Sequence, residues 1–158
     1  MNQMFKNQGS IVIVQITRLG DVIQTYLATQ DLKKINPKLK LTLIMREQFY
    51  KQLHFLLESV FDDIIFIPSL SLTSLSQDEL VETVNEQVDE KIQGPVDVTV
   101  NLSFCNLSQI ICGKINSQHH IGPFRNKNDQ ICINDSWGQF VYTNVLDNKL
   151  CPFNLVDI

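Results

Sequence analysis

The run Ile11-Val-Ile-Val-Gln-Ile16, ended by Thr17-Arg-Leu-Gly-Asp21, constrains the fold of this chain more than any other feature. Apart from Gln15 every residue of the run is β-branched. A strand wetted on one side alternates apolar and polar residues, whereas a continuous β-branched run suits a strand covered on both faces, as in a parallel sheet. Parallel neighbours need long crossovers, usually helical, between them. Residues 21–35 supply one, with Val22, Ile23, Tyr26, Leu27 and Leu32 at helical spacing and a stop at Asn36-Pro37.

The alternation then repeats. Residues 39–45 read as a second strand, and 47–60 as a helix with Phe49, Leu53, Leu56, Leu57 and Val60 on one side. A third strand, 64–67, is stopped by Pro68. A loop over 69–76 leads to a polar helix, 77–92, and Gly94-Pro95 marks a turn. Residues 96–102 read as the fourth strand, 106–115 as a helix and 119–121 as a short fifth strand before Gly122-Pro123. The spacing further predicts a short strand at 131–133 and a helix at 137–146. Strand–helix alternation of this kind predicts an α/β fold, a Rossmann-like parallel sheet with helices on both faces, with residues 1–150 as one domain.

Composition narrows the functional classes. A chain of 158 residues with 44% hydrophobic and 19% charged residues is long and apolar enough to bury a core. Its formal net charge of −4 offers no concentration of basic residues to neutralise phosphates, so nucleic acid is not expected as a partner. The apolar run at 11–16 is short for a signal peptide, carries Gln15 and meets Thr17-Arg18 instead of a small-residue cleavage site. No stretch approaches the roughly 18 apolar residues of a membrane span. A cytoplasmic protein is expected. Cys105, Cys112, Cys132 and Cys151 show no Cys-x-x-Cys pair, so free thiols are expected and no metal ligand set.

Open parallel sheets bind ligands at the carboxyl ends of their strands. The polar residues that follow each expected strand are therefore the candidates. Thr17, Arg18, Gly20 and Asp21 follow the first, Arg46 and Glu47 the second, and Asn101, Ser103 and Asn106 the fourth, while His119, His120 and Arg125 lie near the fifth. The first loop has one glycine in place of a Gly-x-Gly-x-x-Gly series, which disfavours a dinucleotide site. Gly20 can allow a tight strand-to-helix turn that sets Asp21 at the helix start. Asp21 then has two readings: a helix cap, or a general base that must reach a substrate hydroxyl. Arg18, Arg46 and Arg125 are either phosphate clamps or solvated surface groups. Adjacent in a strand, His119 and His120 face opposite sides, which argues against chelation of one metal by the pair. Trp137, accompanied by Phe140 and Val141, reads as core or interdomain packing more than as a sugar platform.

The opening Ile11-Val-Ile-Val-Gln-Ile-Thr-Arg-Leu-Gly-Asp-Val-Ile-Gln-Thr25, with a helix ending Asp31-Leu-Lys-Lys-Ile-Asn-Pro37, resembles that of the heptosyltransferase family (glycosyltransferase family nine). The resemblance continues through Phe61-Asp-Asp-Ile-Ile-Phe66, Val96-Asp-Val-Thr-Val-Asn-Leu102 and His120-Ile-Gly-Pro-Phe124, so that it spans residues 11–124 in order. It implies the amino-terminal half of a GT-B fold, with an acceptor-binding domain here and a donor-binding domain beyond residue 158; residues 151–158 are expected to begin the crossover between them. By the same resemblance Asp21 is the catalytic base of an inverting sugar transfer, and Thr17, Arg18, Gly20, Arg46, Asn101, Ser103, His120 and Arg125 are candidate acceptor-binding residues. The implied donor is a nucleotide-sugar, ADP-heptose, bound by the second domain, and the implied acceptor is lipopolysaccharide core or another cell-surface glycan at the cytoplasmic face of the inner membrane. No metal and no further cofactor are implied. Gln24 and Tyr26 stand where the family often has small residues or Thr-Pro, a change that would reshape the acceptor pocket. His119-His120 replaces a basic residue. The isolated chain is expected to lack transferase activity. The alternative is a non-catalytic module that binds a sugar or partner or forms a homodimer, since a cleft face without its second domain would be covered by association.

Overall fold

The computed structural model describes residues 9–68, 76–92 and 94–147. Most of the expected loop at 69–76, the crossover at 151–158 and Cys151 fall outside them. The first strand, β1 (Ser10–Val14), runs parallel to β2 (Lys40–Arg46) on one side and to β4 (Val96–Asn101) on the other. Outside these lie β3 (Asp63–Ile67), paired with β2, and β5 (Ser117–Ile121), paired with β4, giving the order β3-β2-β1-β4-β5. All five run parallel, as the Rossmann-like reading requires.

Helices cover both faces. Ile11, Ile13, Leu41, Leu43 and Met45 meet α1 (Leu19–Ile35) and α2 (Glu47–Leu57) on one side. Val12, Val14, Ile44, Ile65 and Ile67 meet α3 (Gln77–Lys91) and α4 (Asn106–Lys114) on the other. Each fully buried Leu or Ile of these layers contributes about 1.5–3 kcal/mol of transfer free energy, which explains why continuous apolar runs mark the central strands. Ser76 caps α3 reciprocally with Glu79, its hydroxyl accepting from the Glu79 amide and its own amide donating to the Glu79 carboxylate at 2.6 Å.

Several boundaries and one helix face differ from expectation. Helix α1 starts at Leu19, two residues before Asp21. It buries Val22, Thr25, Tyr26 and Thr29, and leaves Ile23, Leu27 and Leu32 at 37%, 55% and 38% exposure. The threonines can lie on the buried face because each hydroxyl donates to a carbonyl of the preceding turn, Thr25 to Asp21 and Thr29 to Thr25, both at 2.8 Å. Tyr26 is therefore core, with the Gln30 amide donating to its hydroxyl, and does not reshape a pocket. β4 ends at Asn101, leaving Leu102 exposed, and β5 begins two residues before His119.

A two-residue strand, β6 (Phe124–Arg125), pairs antiparallel with β7 (Ile131–Cys132), so the isolated strand expected at 131–133 is half of a hairpin. The hairpin lies against α4 so closely that a Cβ on Gly113 would stand 1.9 Å from the Arg125 carbonyl oxygen. The last described helix, α5 (Ser136–Asp147), is tied to the end of β5 through Asp135, whose carboxylate accepts from the Gly122 amide at 2.7 Å and from the Gly138 amide at 2.5 Å. Gly122 itself needs to be glycine: its φ is +81°, and a Cβ there would lie 2.4 Å from the Asn101 carbonyl oxygen.

Candidate functional site

The strand order reverses at β1. From β1 the chain moves outward to β2 and β3, then returns to lay β4 on the other side. The carboxyl ends of β1 and β4 are thus the topological switch point of the sheet, the place where open α/β sheets form the crevice that holds ligands. Thr17, Arg18, Gly20 and Asp21 come to this point from β1, and Leu102 and Ser103 from β4.

Asp21 sits in the first turn of α1, half-buried, with its Oδ2 accepting from the Thr17 hydroxyl at 2.9 Å. The helix starts after Arg18, and no side chain caps it from that position. Asp21 complements the positive end of the helix dipole from inside the first turn, but its hydrogen bond goes to Thr17 and not to the terminal amides. Arg18 is exposed, and among the described residues its side chain has no hydrogen bond or ion pair. Gly20 departs from expectation: its φ is not in the left-handed region, so the turn does not depend on glycine. A Cβ added there meets nothing within 4 Å, so the glycine leaves the rim beside Asp21 open.

Arg46 reaches the same rim from β2. Its Nε donates to the Ile16 carbonyl at 2.6 Å, which fixes the start of the β1 loop and leaves the two terminal nitrogens without a hydrogen bond among the described residues. Below the rim lie the two residues expected from β4, and neither faces the crevice. Asn101 is 3% exposed; it donates to the Pro123 carbonyl at 2.6 Å and accepts from the Ser103 amide at 2.9 Å. Ser103 is 0% exposed; its hydroxyl accepts from the Ile16 amide and donates to Gln15 Oε1, both at 2.8 Å. Their hydrogen-bonding groups join β1 to β4 and β4 to β5, so the acceptor-binding expectation for Asn101 and Ser103 is corrected to a structural role.

The two candidates near β5 serve the hairpin. Arg125 donates from Nε and Nη2 to Asn106 Oδ1 at 3.0 and 2.7 Å, and from Nη1 to the Asp129 carboxylate at 2.8 Å. Every nitrogen of its guanidinium is engaged in clamping the hairpin to the start of α4, which corrects the phosphate-clamp reading. His120 stacks on Phe124, ring centroids 4.2 Å apart and planes 17° from parallel. Burial pushes its imidazole below the usual histidine value, and its Nδ1 has no hydrogen-bond partner among the described residues. His119 lies on the opposite face, as expected, and is exposed. Trp137 is not core: it is 46% exposed, and with Phe140, 42% exposed, forms a ring pair 5.5 Å between centroids. Only Val141 of that trio is buried.

One residue of the site escaped the sequence reading. Gln15, 4% exposed, accepts at Oε1 from the Ser103 hydroxyl at 2.8 Å and from the Thr17 amide at 3.4 Å, and so connects the rim to the core. Its signal was present as the single polar residue in the otherwise apolar run 11–16. Among the described residues no three His, Cys, Asp or Glu side chains gather to hold a metal ion, and no helix is long and apolar enough to cross a membrane. Cys105, Cys112 and Cys132 are free thiols.

No family model matches the chain, and no curated protein matches it. Solved structures do. A glycosyl transferase of family 9 from Veillonella parvula DSM 2008 superposes with a TM-score of 0.62 at 21% identity, over 77% of this chain and 33% of that one. The E. coli heptosyltransferase WaaC with ADP gives a TM-score of 0.55 at 15% identity, over 72% of this chain and 36% of that one. The same enzyme with ADP-2-deoxy-2-fluoro heptose gives 0.56 at 13% identity, over 89% and 48%. The chain thus spans between 33% and 48% of the length of these structures. The sequence resemblance and the structural likeness fall on the same group of enzymes: this chain has the fold of part of the GT-B architecture of the family nine glycosyltransferases and heptosyltransferases.

Proposed function

We propose that this chain is the acceptor-binding, base-carrying part of an inverting glycosyltransferase. The observation that carries the reading is the position of Asp21: a half-buried carboxylate at the β1–β4 crevice, held by Thr17 beside an unobstructed rim at Gly20. A carboxylate so placed can take the proton from an acceptor hydroxyl as that oxygen attacks the anomeric carbon of a nucleotide-sugar. The bond to the diphosphate breaks, the nucleoside diphosphate leaves with the electron pair, and the anomeric configuration inverts. The two terminal nitrogens of Arg46 and the Arg18 guanidinium, without a hydrogen bond among the described residues, suit a phosphorylated or acidic sugar acceptor. The likeness to WaaC, seen with ADP and with an ADP-heptose analogue, supports ADP-heptose as donor, bound outside this chain, and a lipopolysaccharide-core or other cell-surface glycan as acceptor. The enzyme would work in the cytoplasm, peripheral to the inner membrane where glycolipid acceptors are presented, without a metal or other cofactor.

The test uses the longest natural reading frame that contains these residues, with ADP-heptose and related nucleotide-sugars against a panel of glycan acceptors. Asp21→Asn is expected to lower kcat by about 10²- to 10⁴-fold, the usual share of a general base, with the circular dichroism spectrum unchanged. The 158-residue chain alone should show no turnover. Equal transfer by Asp21→Asn would remove the base assignment. A second reading, a non-catalytic module that pairs with itself or a partner, is favoured by the exposed row Leu19, Ile23 and Leu27 along α1.

A further inference from the structure

The Thr17 hydroxyl has one proton and two acceptors. Its Oγ1 lies 2.8 Å from Gln15 Oε1 and 2.9 Å from Asp21 Oδ2, and only one of these can receive that proton at a time. The surrounding network decides which. The Gln15 amide is oriented by unambiguous neighbours: the Thr17 amide approaches Oε1 at 3.4 Å, while Nε2 faces the Leu102 carbonyl at 3.5 Å. Ser103 Oγ accepts from the Ile16 amide, so its own proton is directed at Gln15 Oε1. With Gln15 Oε1 already supplied by Ser103, the Thr17 proton is available to the Asp21 carboxylate.

The arrangement also works in reverse. An Asp21 that has taken up a proton becomes a donor to Thr17 Oγ1, and the Thr17 proton turns to Gln15 Oε1 at 2.8 Å, displacing the longer approach of the Thr17 amide. Both states keep the Thr17 hydroxyl and the Asp21 carboxyl paired without movement of any heavy atom. A local threonine–aspartate contact would need no buried glutamine, yet Gln15 is 4% exposed just after β1, in the otherwise apolar run 11–16. Burial of such an amide is unfavourable unless its bonds are made.

We propose that Thr17 is a positioning residue for Asp21, a two-way hydrogen-bond relay anchored through Gln15 and Ser103 to the seam between β1 and β4. Thr17 thereby leaves the acceptor-binding set: it holds the carboxylate in one orientation before and after proton uptake. The catalytic consequence rests on the base reading of Asp21, whereas the positioning itself does not.

Two measurements separate these claims. In the 158-residue chain, three-bond couplings to the Asp21 β-protons report its χ1 rotamer. Wild type and Thr17→Ser should show one rotamer, and Thr17→Val and Thr17→Ala should show averaging over several, with the thermal midpoint little changed because Thr17 is exposed. In the longer enzyme, Thr17→Val should lower kcat about tenfold at unchanged acceptor KM, with Thr17→Ser restoring most of it, as expected when a reacting group loses its orientation. A single Asp21 rotamer in both Thr17→Val and Thr17→Ala overturns the proposal. Averaged rotamers combined with full activity of Asp21→Asn would uphold the positioning and discard the base reading.

Discussion

Asn101, Ser103 and Gln15 show how far a polar residue's role depends on what its neighbours leave unpaired. All three sit at strand ends where a ligand would enter, and all three are buried with their hydrogen bonds made inside the protein. Residue type and position marked Asn101 and Ser103 as candidates; only the register of β1 against β4 reveals that the Ile16 amide needs Ser103 as its acceptor. His120 carries a testable consequence. Its folded-state pKa is lowered by burial, so between its ordinary value near 6.5 and that lower value the unfolded chain binds the proton more readily. The stability associated with a neutral His120 is therefore present above pH 6.5, starts to fall below it and is lost once pH drops through the lowered value. Urea unfolding between pH 7.5 and 5 should show His120→Phe with a flatter dependence than wild type, the Phe124 stack being retained by an aromatic ring. Identical slopes would mean that protonation is tolerated in the folded state.

At the scale of elements, α5 depends on a single carboxylate. Asp135 satisfies one amide of the first turn of α5 and, through Gly122, one amide at the end of β5. Its replacement removes a helix cap and a tether together. Asp135→Ala is expected to cost about 1–2 kcal/mol in denaturant unfolding, at the upper end for a cap alone. Hydrogen exchange in α5 should accelerate first if the helix opens locally. The elements that could be read from sequence were those whose physics is local: β1, β2 and β3 by their apolar runs, and α3 with its polar face. The elements missed have another cause. Phe124-Arg125 is a strand only because α4 lies over it at Gly113 and because Ile131-Cys132 returns beside it. Two residues carry no periodicity to detect. Helix α1 misled for the opposite reason, since its apolar residues surround the axis and its buried face includes threonines.

The whole molecule is organised around a strand made early in the sequence and completed late. The likeness to glycosyltransferase structures lies in this topology, and the crevice that holds Asp21 exists only where β4 returns beside β1. The sequence pattern made the layers and the crevice's location legible, because alternation and strand-end position define both. It did not reveal which side chains face the crevice, because that depends on pairing between residues far apart: Ser10 and Asp97 share hydrogen bonds across 87 positions. During synthesis, β1 acquires β2 and β3 first, while its other edge remains a row of unpaired amides and carbonyls flanked by Ile11, Val12, Ile13 and Val14. Such an edge is a template for any other extended chain. A fragment covering residues 1–95, which lacks β4, should sediment as aggregate at concentrations where the 158-residue chain remains in solution. The strand that closes the crevice is thus also the one that seals the sheet, so a nascent chain stalled before it would be a target for a chaperone.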